Sequence, residues 1–150
     1  MNHALPSDFE SIKNIFYSYR AIFPHIRTDY LRRQIASNNC VFHNGIVITY
    51  NIYKRKQRIG DCQAFKGDCI LHQIVKEEGS DATNALQDFF QYVNAPVWLS
   101  VRRDNLRAKK YYEKNNMEKV GEIYWAKGKL PGDVYKYVPV FSNLTSMYYE

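Results

Sequence analysis

The run PVWLSV, residues 96–101, constrains the fold more than any other stretch of the chain. A strand that is apolar on both faces needs cover on both, so it belongs inside a mixed or parallel sheet between layers of helix. The flanking residues supply that cover. Ala82, Ala85, Leu86, Phe89, Phe90 and Val93 recur at three- and four-residue spacing and predict an amphipathic helix that Asn94-Ala95-Pro96 ends. After the run, the turn Arg102-Arg103-Asp104-Asn105 opens a basic helix over residues 105–116.

The other segments fit round this centre. Met1–Ala4 predicts a short edge strand, closed by Pro6-Ser7-Asp8. Ser7 or Asp8 can cap a helix with Phe9, Ile12, Ile15, Phe16 and Tyr19 on one face, and Pro24 breaks it. Asp29 caps a second helix through Tyr30, Leu31, Ile35 and Ala36, ending in Ser37-Asn38-Asn39. CVFH (40–43) turns at Asn44-Gly45, a strong hairpin signal, into a long strand at 45–54. Residues 54–68, polar with Gly60 and Gly67, read as a loop or ragged hairpin, and CILHQIV (69–75) as a short strand. EIYWAKG (122–128) and DVYKYVPVF (133–141) alternate as a hairpin around Leu130-Pro131-Gly132. The order β-α-α-β-β-β-α-β-α-β-β describes an α+β fold: a mixed, mostly antiparallel sheet flanked by about four helices. A single domain is expected at 1–141, followed by a polar, aromatic tail at 142–150 that carries the sequon Asn143-Leu144-Thr145. Strands 45–54 and 133–141 are long enough to pair across a homodimer.

Three cysteines, Cys40, Cys62 and Cys69, are odd in number and lack C-x-x-C spacing, which points to a reducing compartment. The four histidines fall on separate elements without metal-ligand spacing, so no metal is assigned. With no signal peptide and no apolar run near a membrane-spanning length, the expectation is a soluble, cytoplasmic protein without a membrane partner. Net charge is +6, and residues 101–130 hold nine basic against four acidic side chains, nearly the whole excess. That segment is open to two readings: a solvated helix face with a charged hairpin, or a surface for an anionic partner.

Two strand-to-helix junctions could carry chemistry. At KEEGSD (76–81), Gly79 permits close approach or positive φ and Ser80 or Asp81 can cap, so backbone amides at the helix start could meet a phosphate; Glu77, Glu78 and Asp81 oppose an anion there. At the second junction Asn105 sits at a turn or N-cap, Ala108 follows one turn on, and Tyr112 lies on the same face. These residues can equally be an ordinary cap, helix former and sheet anchor.

Asn105, Ala108, Tyr112 and Gly121 fall at the spacings of N-x-x-A-x-x-x-Y-x-x-x-G-F-x-x-x-G, and in this the stretch resembles the terminal motif of the GNAT (GCN5-related) N-acetyltransferases. Asn116 and Met117 stand where that family usually has Gly and Phe; Asn tolerates a left-handed helix end, and Met is another apolar plug. The element order also resembles the family's over nearly the whole chain. KEEGSD then aligns with its pyrophosphate loop, Arg/Gln-x-x-Gly-x-Gly/Ala, with Lys76 at the first position, Gly79 at the glycine and Asp81 at the last.

The resemblance implies acetyl-CoA as acyl donor and a primary amine as acceptor. The strand 69–75 would splay from 96–101, with the pantetheine arm pairing to backbone of Ile74 and Val75. Lys76, Gly79, Ser80, Asp81 and Ala82 would hold the pyrophosphate. Asn105 would orient the cofactor beside Ala108, and lysines of the helix, Lys110 among them, would face its phosphates. The amine attacks the thioester directly, a backbone amide meets the developing oxyanion, and Tyr112 protonates the departing thiolate. His72 is the first candidate base, and a packed strand histidine is its alternative; Asp61, Asp68 and Glu122 follow. Two other readings remain open: a nucleic-acid-binding module using the basic helix and its tyrosines, or a scaffold on a catalytically inactive GNAT-like fold.

Overall fold

The computed structural model describes residues 1–19 and 26–139. The break expected at Pro24, the last residues of strand 133–141, and the tail with its sequon lie outside the described residues. The elements in chain order are α1 (Phe9–Tyr17), α2 (Thr28–Ala36), β1 (Cys40–His43), β2 (Ile46–Ile52), β3 (Gln57–Ile59), β4 (Cys62–Ala64), β5 (Cys69–Lys76), α3 (Ala85–Val93), β6 (Val97–Arg102), α4 (Leu106–Lys114), β7 (Glu118–Trp125) and β8 (Leu130–Tyr137). Six strands form one mixed sheet, hydrogen-bonded in the order β1-β2-β5-β6-β8-β7, and β3-β4 is a separate hairpin. The residues gather into two compact units: Met1–Asn51 with Leu71–Phe89, and Ile52–Ile70 with the chain from Phe90 onward.

In the first unit the apolar stripes of α1 and α2 pack against the strands. Phe9, Ile12, Ile15, Phe16, Leu31 and Ile35 share a core with Cys40, Val47 and Val75. Tyr50, on the opposite face of β2 from Val47, meets Phe89 of α3 edge-on at 5.1 Å. Asn44 (φ 51°) and Gly45 (φ 77°) are both left-handed in the β1–β2 turn, as an Asn-Gly hairpin requires. The N-terminal strand reduces to one bridge, His3 to Val41, because Pro6–Asp8 turns at once into a 3-10 helix. Asp8 takes the Leu5 amide at 2.8 Å and makes no side-chain cap of α1. Asp29 does not cap α2 either: it lies inside the first turn, paired with Arg27 at 3.2 Å and Arg33 at 3.8 Å. The helix expected near Ser80 starts at Ala85, so Ala82 precedes it. The cause is local: Asp81 accepts the Thr83 amide at 2.9 Å and its hydroxyl at 2.5 Å, a turn that competes with helix.

In the second unit β5 begins parallel to β6, with Cys69 opposite Val97 and Ile70 opposite Trp98, and β8 lies antiparallel between β6 and β7. The β3–β4 hairpin packs Ile59 and Ala64 against Trp98 and Val134. The β7–β8 turn is not at Leu130-Pro131-Gly132. Ala126, Lys127 and Gly128 take left-handed conformations four residues earlier, and Leu130, Pro131 and Gly132 are strand residues opposite Trp125, Tyr124 and Ile123.

Strand β2 lies between β1 and β5, and β8 between β6 and β7, so neither offers the free edge expected of 45–54 and 133–141. The β7 edge is itself met by the β3–β4 turn, where Asp61 N–H donates to Glu122 O at 3.0 Å and Glu122 N–H to Asp61 Oδ1 at 2.9 Å. That contact explains Gly121, since a Cβ there would overlap Asp61 Oδ1 and Cys62 Sγ. Gly121→Val is expected to cost about 1–3 kcal/mol by overpacking, read as a lower urea midpoint at unchanged m-value.

Candidate functional site

Helix α4 is built as the sequence pattern requires. Asn105 Oδ1 accepts the Ala108 amide at 3.2 Å, a side-chain N-cap. At the other end Asn116 is left-handed (φ 67°) and Met117 is buried, so the two residues standing in for Gly and Phe do the work of a helix stop and an apolar plug. Between them, the Tyr112 ring is flanked by Tyr111 and Tyr135, each at 6.0 Å. Burial raises the pKa of Tyr112, and among the described residues nothing takes a hydrogen bond from its hydroxyl. It is a protonated phenol whose hydroxyl has no acceptor among the described residues.

Strand β5 carries the other predicted residues. His72 keeps an exposed side chain, and partial desolvation of its ring lowers its pKa from the usual imidazole value. Ile74 is half-buried and Val75 buried. Lys76 is tied on both sides: Tyr19 Oη donates to its carbonyl at 3.0 Å, and its Nζ donates to Ser80 O at 3.0 Å. Gly79 has φ 86° with nothing within 4 Å of where a Cβ would stand, so its backbone is open to close approach. Asp81 takes the Thr83 hydroxyl and amide, and those hydrogen bonds lower its pKa. Lys76 ends β5, and Gly79, Ser80, Asp81 and Ala82 thus form a loop ahead of α3 and not its first turn.

The basic segment divides in two. Asp133, fully buried on β8, meets Lys109 Nζ at 2.8 Å, Arg103 Nε at 3.0 Å and Lys119 Nζ at 3.3 Å. Burial alone would raise its pKa, but hydrogen bonds from Lys109, Arg103 and Lys119 outweigh that and hold it at about 2. Arg102 pairs with Asp104 at 3.1 Å. Lys109 therefore faces a carboxylate, contrary to the expectation that the helix lysines face phosphates. Arg107, Lys110 and Lys114 make no ion pair among the described residues.

The secondary base candidates are engaged in structure. Asp61 holds the Glu122 amide, Asp68 accepts the Trp98 indole N–H and the Phe65 amide at 3.0 Å each, and Glu122 pairs with Arg103 at 3.5 Å and Lys119 at 3.6 Å. The sequence reading overlooked Asp133, which it placed at the start of strand 133–141, directly after an expected turn, where burial was not anticipated. It also missed a polar cluster in the first unit, where Thr49 and Tyr30 hydroxyls both donate to Gln73 Oε1, the latter at 3.2 Å. A glutamine inside the apolar run ILHQIV was the available signal.

No family model matches the sequence, and no curated protein does. Solved structures match in fold. A GNAT-family acetyltransferase from Streptococcus agalactiae aligns with a TM-score of 0.69 at 11% identity, over 92% of this chain and 94% of its own. NAA60 from Arabidopsis thaliana, solved in complex with acetyl-CoA, aligns with a TM-score of 0.63 at 14% identity, over 92% and 98%. The ribosomal-protein-S18-alanine N-acetyltransferase from Escherichia coli aligns with a TM-score of 0.61 at 14% identity, over 91% of each. The chain has the GNAT acetyltransferase fold.

Proposed function

We propose that this chain is an acetyl-CoA-dependent N-acetyltransferase acting on a primary amine by direct transfer. The observation that carries the reading is Tyr112: a phenol of raised pKa with no hydrogen-bond acceptor among the described residues, on a helix whose cap, stop and plug fit the positions of the GNAT terminal motif. The likeness in fold to GNAT structures over 92% of the chain, one of them solved with acetyl-CoA, supports it. The open backbone at Gly79 fits a pyrophosphate, with Lys76 as the nearby cation and Ser80, Asp81 and Ala82 completing the loop. Two residues farther back on the same strand, the backbone of Ile74 and Val75 would pair with the pantetheine arm. Asn105 and Ala108 would flank the cofactor, and Lys110, a helix lysine without an ion pair, is the phosphate contact on α4.

When bound, acetyl-CoA supplies the thioester carbonyl and the thiolate leaving group. His72, its pKa lowered, would take a proton from the acceptor ammonium. The amine would form the new C–N bond as the C–S bond breaks, and Tyr112 would give its proton to the leaving sulfur. The nucleic-acid reading loses ground because Arg102, Arg103, Lys109 and Lys119 are neutralised within the protein. The test is free-thiol release from acetyl-CoA across a panel of small amines, lysine peptides and free N-termini. Saturable, amine-dependent release is the expected result. A folded protein that releases no thiol above background with any acceptor would favour the scaffold reading.

A further inference from the structure

Part of the positive charge in residues 101–130 is neutralised within the protein, whereas the β3–β4 hairpin and its flanks keep theirs free. Lys54, Arg55, Lys56 and Lys66 are exposed, and among the described residues none of them makes an ion pair or a side-chain hydrogen bond. The residues outside the described ones hold a single acidic side chain, Glu150, too few to neutralise four cations. The hairpin's own carboxylates are engaged. Asp68 is buried and accepts the Trp98 indole N–H and the Phe65 amide at 3.0 Å each. Asp61 holds the Glu122 amide at 2.9 Å and lies close to Arg58.

Backbone pairing gathers the four cations round one ring. Gln57 stands opposite Ala64, and Tyr53 gives its N–H to Asp68 O and takes the Gly67 N–H, each at 2.9 Å. Between those two ties Lys54, Arg55 and Lys56 run alongside Phe65 and Lys66. Phe65 is 55% exposed, although it is large and apolar. Its backbone is fixed there: the amide donates to the Asp68 carboxylate, and the carbonyl takes the Asp68 N–H at 3.0 Å. The other face of the hairpin packs Ile59 and Ala64 onto Trp98 and Val134.

Closely set, unpaired cations attract phosphates, and an exposed aromatic ring among them is a platform on which a base stacks. An acidic peptide would match the cations and leave the ring idle. An anionic bilayer calls for a broad apolar face beside the charges, and here Ile59 and Ala64 are turned inward. A duplex keeps its bases stacked on one another, out of reach of the ring.

We propose that this face of the hairpin binds single-stranded nucleic acid, with Lys54, Arg55, Lys56 and Lys66 on phosphates and Phe65 against a base. The surface is independent of acetyl-CoA and stands or falls apart from the transfer reading. It is tested on the full chain without acetyl-CoA, by fluorescence anisotropy of a labelled single strand of about twelve nucleotides. Four phosphate contacts predict that the logarithm of the association constant falls against that of salt concentration with a slope of about −3. Lys54→Gln, Arg55→Gln and Lys56→Gln together should weaken binding at least tenfold and bring the slope to about −1. Phe65→Ala should weaken it at least fivefold at unchanged slope. Arg107→Gln with Lys114→Gln, on α4, should leave it within about twofold. The wild-type slope and the Phe65→Ala affinity test the proposal even where the triple variant does not fold. Absence of binding at low salt, or equal binding of a duplex, polyglutamate or phosphatidylserine vesicles, would overturn it. So would undiminished affinity in Phe65→Ala, or a loss carried by the α4 variant and not by the hairpin.

Discussion

Tyr112→Phe is expected to lower kcat for acetyl transfer by about 100-fold or more, the usual contribution of a positioned general acid. The substitution removes one oxygen and leaves the ring between Tyr111 and Tyr135, so the melting temperature and the KM for acetyl-CoA should scarcely change. The pH profile separates an acid from a packing role. Burial raises the Tyr112 pKa above its ordinary 10, so the phenol stays protonated and wild-type activity should persist into alkaline pH, falling only as the phenol ionises. In Tyr112→Phe that alkaline fall should vanish along with the rate. An unchanged kcat would remove Tyr112 from the chemistry.

Asp133→Asn should be the most destabilising single polar change in the second unit. It leaves Arg103, Lys109 and Lys119 gathered round a neutral amide. We expect a loss of about 3 kcal/mol, the low end for breaking a buried ion pair, because Arg103 and Lys119 reach water and can rehydrate. For a chain of this size that corresponds to a melting temperature lower by about 10 °C. The effect must depend on pH in one direction. The folded pKa of about 2 lies below the ordinary 3.8, so the carboxylate stabilises the fold fully above pH 4 and loses that contribution as pH falls toward 2. The gap between wild type and Asp133→Asn, measured by urea unfolding, should narrow over that interval. A constant gap would mean that charge is not what Asp133 contributes.

The two residues differ in how far the sequence announced them. Tyr112 was singled out by the resemblance: a helix repeats every turn, so Asn105, Ala108 and Tyr112 fall at the family's spacings, and the cap at Asn105, the left-handed Asn116 and the buried Met117 agree with what the residues at those positions can do. The α1 and α2 stripes and the Asn44-Gly45 turn were legible directly, since local chemistry decides them. Asp133 was not. Its partners come from the turn after β6, from α4 and from β7, and only the fold brings Asp133 together with all three. Pro131 and Gly132 beside it read as a turn, yet the chain had already reversed at Ala126–Gly128, where two non-glycine residues take positive φ. The late start of α3 is hidden in another way, because Ser80 and Asp81 both read as possible helix caps and Asp81 instead closes its own turn on Thr83.

That loop is where the account is most directly tested. Isothermal titration of the purified chain with acetyl-CoA should show one saturable site, and thermal unfolding at a hundredfold excess over the measured Kd should gain about 2.7 kcal/mol. Gly79→Val, which closes the open backbone at the centre of the loop, should weaken that binding at least tenfold without lowering the fold's own stability below what its positive φ costs. No heat and no stabilisation at millimolar acetyl-CoA would contradict the assignment and leave a GNAT fold used for something other than acetyl transfer.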